Sequence, residues 1–471
     1  LTCAEEEFMA DAGTGRSGGA SGEDEFSGGL RRTLGTPLLL AFVVGNIVGA
    51  GIYVAPGEVA GVVGGGIWLP FLIAFVVAIF TAFSYSELVS KYPGAGGAAL
   101  FVNRAYKIPL FSFIVAFTVM CSGLSSASGI SRTFGGEYLQ TFIVLPEILV
   151  ALVFILILAT INYFGITGSA QLNAVLTVIS LIGLVIILIV GVAAFFVGQA
   201  DFSRPLSFEV PEGDALGIAL LGGAVLAFYA LIGFEDSANV AEETRDASRV
   251  YPKALFGGLL AAGGLYIAVC FFASAVVPTE RLAGSSGPLL EVVESGPIPI
   301  PPSLFAIAAL VGITNTALIN LIIASRVLYG MGREGVLPSI FSRCDPNRNT
   351  PVFAIIFTTL IALVLALTGD FGDLAGTTVL LILAVFAVVN VSVLVLRRDE
   401  VGHTHFRTPA VFPILGAITC LVLLTQQEAG TWLRSIILIA IGLALYGVNI
   451  YLKKRAGENE PTRPRETTRT G

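Results

Sequence analysis

The sequence predicts an all-α polytopic membrane protein of about twelve transmembrane helices. Three observations carry that prediction. Of 471 residues, 55% are hydrophobic and only 13% charged, a balance outside that of water-soluble domains. The apolar runs are long enough to cross a bilayer, which takes about 20 residues each. Two of the runs are interrupted by glycine where a spanning helix should be most regular.

The spans follow one another with short polar breaks. The first runs from Pro37 to Ala60, the second from Ile67 to about Val89, and the third from about Pro109 to Ser131. The fourth covers about Phe142 to Tyr163 and the fifth Ser169 to Val197. A polar stretch with Asp201, Arg204 and Glu209 then precedes the sixth, Leu216 to about Ala241. The seventh is about Ala254 to Val277, the eighth Ser303 to about Met331, the ninth Val352 to Thr368 and the tenth Leu374 to Leu396. Two further spans, about Pro409 to Leu424 and Trp432 to Leu452, complete the set. Residues 31–455 therefore read as one membrane domain between two polar, disordered tails, 1–30 and 456–471. The first tail has no apolar core and is not a signal peptide. The chain opens on Leu1, with Met9 as an alternative start.

Charge sets the orientation. With the N-terminus cytoplasmic, the cytoplasmic segments hold 22 of the 26 lysines and arginines, all but Arg132, Arg204, Arg281 and Arg434. Both termini are thus expected inside, in a multi-pass cytoplasmic membrane protein. Arginine-rich, lysine-poor usage points to a high-GC prokaryote. With a net charge of −7, a nucleic-acid partner is not expected. Cys3, Cys121, Cys270, Cys344 and Cys420 are isolated, and only two histidines occur, His403 and His405 in one loop. No metal motif or nucleophile–base constellation stands out, so an enzyme is not expected. Oligomeric state leaves no trace in the sequence.

The first break is Gly45-Asn46-Ile47-Val48-Gly49-Ala50-Gly51. Each glycine weakens a helix by about 1 kcal/mol relative to alanine. Three together predict two half-helices, Leu38 to about Val44 and Ile52 to about Ala60. Irregular backbone at membrane depth is tolerated only where protein buries it or it lines a cavity. The second half-helix would offer N–H groups to an anion, and the first would offer carbonyls to a cation. A small-residue packing face is the alternative, since Gly45 and Gly49 have G-x-x-x-G spacing.

The second break lies in the sixth span, at Phe228-Tyr229-Ala230-Leu231-Ile232-Gly233-Phe234-Glu235. Glu235 reads as near mid-span, where a carboxylate costs about 2.5–3.5 kcal/mol on insertion scales. It is a functional candidate, either a proton carrier or an electrostatic partner. If spans 1–5 and 6–10 are two halves, the breaks occupy corresponding places, and five spans per half force opposite topology. Residues 37–197 and 216–396 then form an inverted repeat, with 409–452 as two extra helices. That architecture is common in secondary transporters, with substrate held at the midplane. No G-x-x-x-x-G-K-[ST] pattern occurs to couple transport to ATP.

Gly45 through Tyr53 resembles the first-helix motif of the amino acid–polyamine–organocation superfamily. Tyr85-Ser86-Glu87-Leu88 with Tyr92-Pro93, and Gly233-Phe234-Glu235 followed by Glu242-Glu243, resemble its second and sixth helices. Ser325-Arg326-Val327-Leu328-Tyr329 with Arg333-Glu334-Gly335 resembles the end of its eighth, and Arg397-Arg398 with Phe406-Arg407-Thr408-Pro409 the loop after its tenth. The resemblance covers about Arg31 to Arg455. It implies a leucine-transporter-type fold, alternating access and an amino acid substrate. It also implies roles: the amides of Ala50 and Gly51, beside Gly49, for the carboxylate, and the carbonyls of Ile47, Ile232 and Leu231 for the α-amino group. Tyr229 takes the place of a gating aromatic and Glu235 that of the sixth-helix acid. Cys121, Ser122, Ser125 and Thr316 are weaker candidates for side-chain selectivity.

One departure bears on coupling. Many members carry a lysine in the fifth helix, and Ser180 stands at that position here. A sodium ion between the carbonyls of Gly45 and Val48 and the hydroxyl of Thr314 or Thr316 is one expectation. Proton coupling through Glu235 and exchange without an ion are the others. The third, eighth and tenth spans carry no mid-membrane acid, which favours a neutral amino acid over a basic amino acid or polyamine. A sensor that binds without transporting is a further alternative, disfavoured by the short tails.

Overall fold

A computed structural model describes residues 34–94, 96–165, 170–210, 215–283, 285–345, 348 and 350–455. The tails expected at 1–30 and 456–471 and the expected start of the fifth span at Ser169 lie outside the described residues. Among those described, nine helices are long and apolar enough to cross a membrane. A tenth crossing is the pair Thr36–Ile47 and Gly51–Val63, bent by 45°. The two that complete the expected twelve, Val352–Ala366 and Val411–Leu424, have only 15 and 14 residues. At 1.5 Å per residue they rise little more than 20 Å, less than the hydrocarbon core of about 30 Å. Each still turns an apolar stripe outwards. On the ninth span it is Phe353, Ile356, Leu360 and Val364, at helical spacing.

The remaining spans are Trp68–Lys91, Pro109–Phe134, Glu147–Phe164, Ala170–Val197, Ala247–Val276, Pro302–Arg333, Phe371–Leu396 and Ala429–Arg455, with the sixth in two pieces. Several ends differ from expectation for local reasons. Pro146 delays the fourth span from Phe142 to Glu147, leaving Phe142 to Leu145 exposed. The seventh begins at Ala247 rather than Ala254, because Tyr251 turns inward and its hydroxyl pairs with Ser237 Oγ at 2.9 Å.

The first break is narrower than the glycine run suggested. Helix continues through Gly45 to Ile47 and restarts at Gly51, so only Val48, Gly49 and Ala50 leave it. Gly45 serves packing instead: a Cβ there would sit 3.4 Å from the Thr177 side chain of the fifth span. The sixth span breaks fully. Its α-helix ends at Leu231, Ile232 is extended, Gly233 has φ +121°, and a 3-10 helix follows over Phe234–Glu243. Glu235 therefore lies beyond the α-helix of a span whose interruption was expected. It sits in the first turn after the break.

Packing follows a rule. The first span's leading half packs on the seventh, and the sixth packs on the second. The third packs on the fourth, ninth and tenth, and the eighth on the ninth, fourth and fifth. These pairs interchange when each of the first five spans is swapped with its counterpart five later. The third and eighth pack on each other at the centre.

Two ties fasten the end that carries the N-terminus. Leu34 forms a parallel bridge beside Thr244, with Leu34 N–H donating to Glu243 O at 3.0 Å and Arg245 N–H to Leu34 O at 2.9 Å. It joins the entry of the first span to the exit of the sixth. The second tie is Glu87, 3% exposed, whose carboxylate accepts from Arg397 Nη2 at 3.2 Å and Thr408 N–H at 2.9 Å. Lys91 Nζ donates to Leu396 O at 2.7 Å beside it. Removing one partner of a buried ion pair strands the other. Glu87→Ala should lower stability by about 3 kcal/mol, read as a fall in the thermal midpoint in detergent; an unchanged midpoint would show the tie to be dispensable.

Candidate functional site

The two breaks touch. A Cβ on Gly51 would stand 2.7 Å from Ala230 Cα, and one on Gly233 would stand 2.5 Å from Asn46 O. Only glycine permits backbone to approach that closely at both points. Gly233 also holds a positive φ that other residues resist. The third, eighth and tenth spans close around this crossing and leave a cavity of ≈ 100 Å³, room for several waters or one small solute.

Polar backbone faces that cavity from both breaks. Gly51 opens the second half-helix of the first span, so its N–H has no carbonyl within that half-helix to bind. Ala50 N–H is already engaged, donating to Thr316 Oγ1 at 3.0 Å. The expected two-amide pair is thus one open amide and one held by a threonine. Ile47 O accepts from Tyr266 Oη at 2.8 Å and from Gly49 N–H at 2.8 Å. Ile232 lines the cavity, while Leu231 is buried behind it.

Of the remaining expected residues, Gly45, Gly49, Tyr229, Glu235, Ser122 and Thr316 line the cavity. Val48, Thr314, Cys121 and Ser125 do not. Ser125 Oγ donates to Leu374 O at 2.8 Å, and Ser122 Oγ to Thr378 O at 3.2 Å. These two serines fasten the third span to the tenth. Thr314 Oγ1 and Thr316 Oγ1 each donate to the carbonyl four residues back, Leu310 and Gly312. Thr316 also accepts from Ala50. Of the donors expected for sodium, Gly45 and Thr316 line the cavity while Val48 and Thr314 do not, and both hydroxyls, though donating within the helix, keep an oxygen lone pair. Ser180, at the lysine position, packs against Gly312, and its carbonyl accepts from Tyr53 Oη.

Glu235 is 8% exposed and its Oε2 accepts from Gly233 N–H at 2.9 Å. The carboxylate so bridges back over the break that precedes it. Asp236 lines the cavity next to it. Tyr229 meets Phe371 edge-on at 5.2 Å, and its hydroxyl lies 2.9 Å from Ser126 Oγ.

Ser126, Asn320 and Tyr266 were not singled out from the sequence. Helical spacing held a signal for two of them. Along the third span Val119, Ser122, Ser126 and Ile130 make one stripe, and along the eighth Thr316, Asn320 and Ile323 make another. Each stripe contains a residue already singled out. Tyr266 gave no such signal, because its contact with Ile47 joins spans distant in sequence.

The family described as Amino acid permease matches residues 34–451 of this chain. The chain belongs to that family. Its relatives include the branched-chain amino acid permease BcaP of Bacillus subtilis (strain 168), 27% identical over 457 residues, covering 92% of this permease and 95% of BcaP. Cationic amino acid transporter 9, chloroplastic, of Arabidopsis thaliana is 30% identical over 341 residues, 68% of this permease and 58% of its own chain. The low-affinity putrescine importer PlaP of Escherichia coli (strain K12) is 28% identical over 402 residues, 82% and 86% of the two chains. This permease is accordingly a multi-pass membrane transporter for a small molecule, and the names of its relatives span neutral, cationic and diamine substrates.

The crossing of the breaks can be tested directly. Gly51→Leu pushes a side chain into the Ala230 backbone and should abolish substrate binding while the protein stays monodisperse in detergent. Retained affinity would mean that the contact does not shape the site. Tyr266→Phe removes one of the two donors to Ile47 O and should cost about 1 kcal/mol of stability, the value of one hydrogen bond; a lowered thermal midpoint in detergent reads it, and an unchanged one would show the bond to be dispensable.

Proposed function

We propose that this permease carries a neutral amino acid across the cytoplasmic membrane by alternating access. One observation supports this above others: the two helix breaks open on a cavity whose walls from the third, eighth and tenth spans carry no charged side chain among the described lining residues. The Gly51 N–H end receives the substrate carboxylate, and the carbonyl of Ile232 receives its ammonium, since Ile47 O already accepts two hydrogen bonds. Tyr229 lies against the substrate on one side. The halves 37–197 and 216–396 are the moving inverted repeats, a division favoured by the interchange of packing pairs. Both termini are cytoplasmic, which places 22 of 26 lysines and arginines on that side.

Coupling falls to Glu235, to a sodium ion or to exchange. The carboxylate is buried at the break and can take up a proton when the site changes access. Sodium would sit at Gly45, Val48 and Thr314 or Thr316, where a hydroxyl that donates its hydrogen still offers an oxygen lone pair. A basic amino acid or polyamine is the second candidate, favoured by Glu235 and Asp236 both lining the cavity.

Uptake into proteoliposomes tests this. A panel of labelled amino acids and putrescine is offered with a sodium gradient, with a proton gradient, and with neither but with internal amino acid. Neutral amino acids should accumulate with a sodium or proton gradient or by exchange. Preferential uptake of putrescine or lysine would support the second candidate, and a strict sodium requirement would give the coupling to sodium and remove it from Glu235. Binding without uptake under every condition would indicate a sensor. Glu235→Gln should flatten the pH dependence of uptake; an unaltered profile would leave that acid a structural role.

A further inference from the structure

Ser126, Tyr229 and Asn320 come from three spans and meet on the cavity wall. Asn320 Nδ2 donates to Ser126 Oγ at 3.0 Å, and Ser126 Oγ lies 2.9 Å from Tyr229 Oη. The two hydroxyls own two hydrogens between them. Their mutual bond uses one, so one remains to donate. Asn320 also keeps its second amide hydrogen and its carbonyl oxygen. That oxygen borders the space left by Gly123, 3.8 Å from where a Cβ would stand. Spare donors and a spare acceptor thus sit beside Val119, Met120, Ile130, Ile319 and Ile323, in walls whose other polar side chains are Ser122, Asn315, Thr316 and Thr378.

Position gives the group a second property. Thr316, which holds Ala50 N–H at the first break, lies one turn before Asn320 on the same helix, about 6 Å along its axis. A substrate whose main chain sits at the breaks therefore reaches the triad with a short side chain. Its polar atom would lie two or three bonds from the α-carbon.

We propose that Ser126, Tyr229 and Asn320 form a polar partition that selects neutral amino acids bearing a side-chain hydroxyl or carboxamide. The proposal rests on the amino acid substrate argued above and narrows it. In the empty site, water satisfies the spare groups. A hydroxyl replaces that water bond for bond, whereas a methyl displaces it and leaves polar groups unpaired. A site built to hydrogen-bond a substrate group discriminates strongly against the analogue that lacks it. Tyr229, Ser126 and Asn320 are neutral, so the partition offers a cationic chain no counter-charge.

Threonine and valine test this, because they share a shape and differ in hydroxyl against methyl. Affinities of both are measured by titration calorimetry on the purified full-length protein and on Ser126→Ala, Tyr229→Phe and Asn320→Leu. Threonine should bind about fivefold tighter than valine to the wild type. The ratio should fall towards one in each variant, and the Ser126→Ala/Asn320→Leu double variant should fall no further than either single, as expected of groups acting together. Equal or tighter valine binding to the wild type overturns the proposal without recourse to any variant. A preserved ratio in folded variants, or equal weakening of both ligands, also overturns it. Proteoliposome uptake separates the two levels. Uptake without a threonine preference refutes the partition alone, while threonine-selective binding without uptake refutes transport alone.

Discussion

Hydrocarbon cannot hydrogen-bond, so every backbone N–H and C=O at membrane depth needs a partner from the protein or from water it encloses. A continuous helix meets that demand by itself. This permease gives up continuity in two places, at Val48–Ala50 and at Ile232–Gly233, and the surrounding spans are arranged to meet the demand there. Tyr266 and Gly49 serve Ile47 O, Thr316 serves Ala50 N–H, and Glu235 serves Gly233 N–H. Polar groups left over face the cavity. The same shortage of partners that makes a broken helix costly makes it able to hold a polar solute.

Close contact between the breaks follows from glycine. Gly51 lets the first span touch the sixth at Ala230, and Gly233 lets the sixth touch the first at Asn46. The contacts are reciprocal, one glycine from each span against the other's backbone. Ionisable side chains on the cavity belong to the sixth-span break, at Glu235 and Asp236, while the other walls are neutral. Charge is thus confined to the part of the cavity with irregular backbone, and the helical walls contribute shape and hydroxyls.

Much of this was legible in the sequence, and the limits have physical causes. Span number and order follow from run length and hydropathy, which are local. Both breaks follow from glycine in an apolar run, but their widths do not. Gly45 stays helical because Thr177 packs against it, a contact between the first and fifth spans. Pro146 shifted one span end locally, by opening the helix at its own position, and Tyr251 shifted another through its contact with Ser237. In the site, backbone candidates were found because a break exposes its own groups. Ser126, Asn320 and Tyr266 were not, because a serine or tyrosine in a membrane helix looks alike whether it faces a neighbour or a cavity. Of the two serines singled out in the same helix, Ser125 fastens the third span to the tenth, while Ser122 lines the cavity and also donates to the tenth.

The strap between Leu34 and Thr244 bears on how such a molecule deforms. It ties the outer ends of two half-helices whose inner ends already abut at Gly233 and Asn46. The first half of the first span and the 3-10 segment of the sixth are thus pinned at both extremities, like two sides of a closed linkage. Swinging one away alone means rupturing two backbone hydrogen bonds in the strap and reopening the glycine contact. Moving both as a single lever leaves every one of those bonds intact.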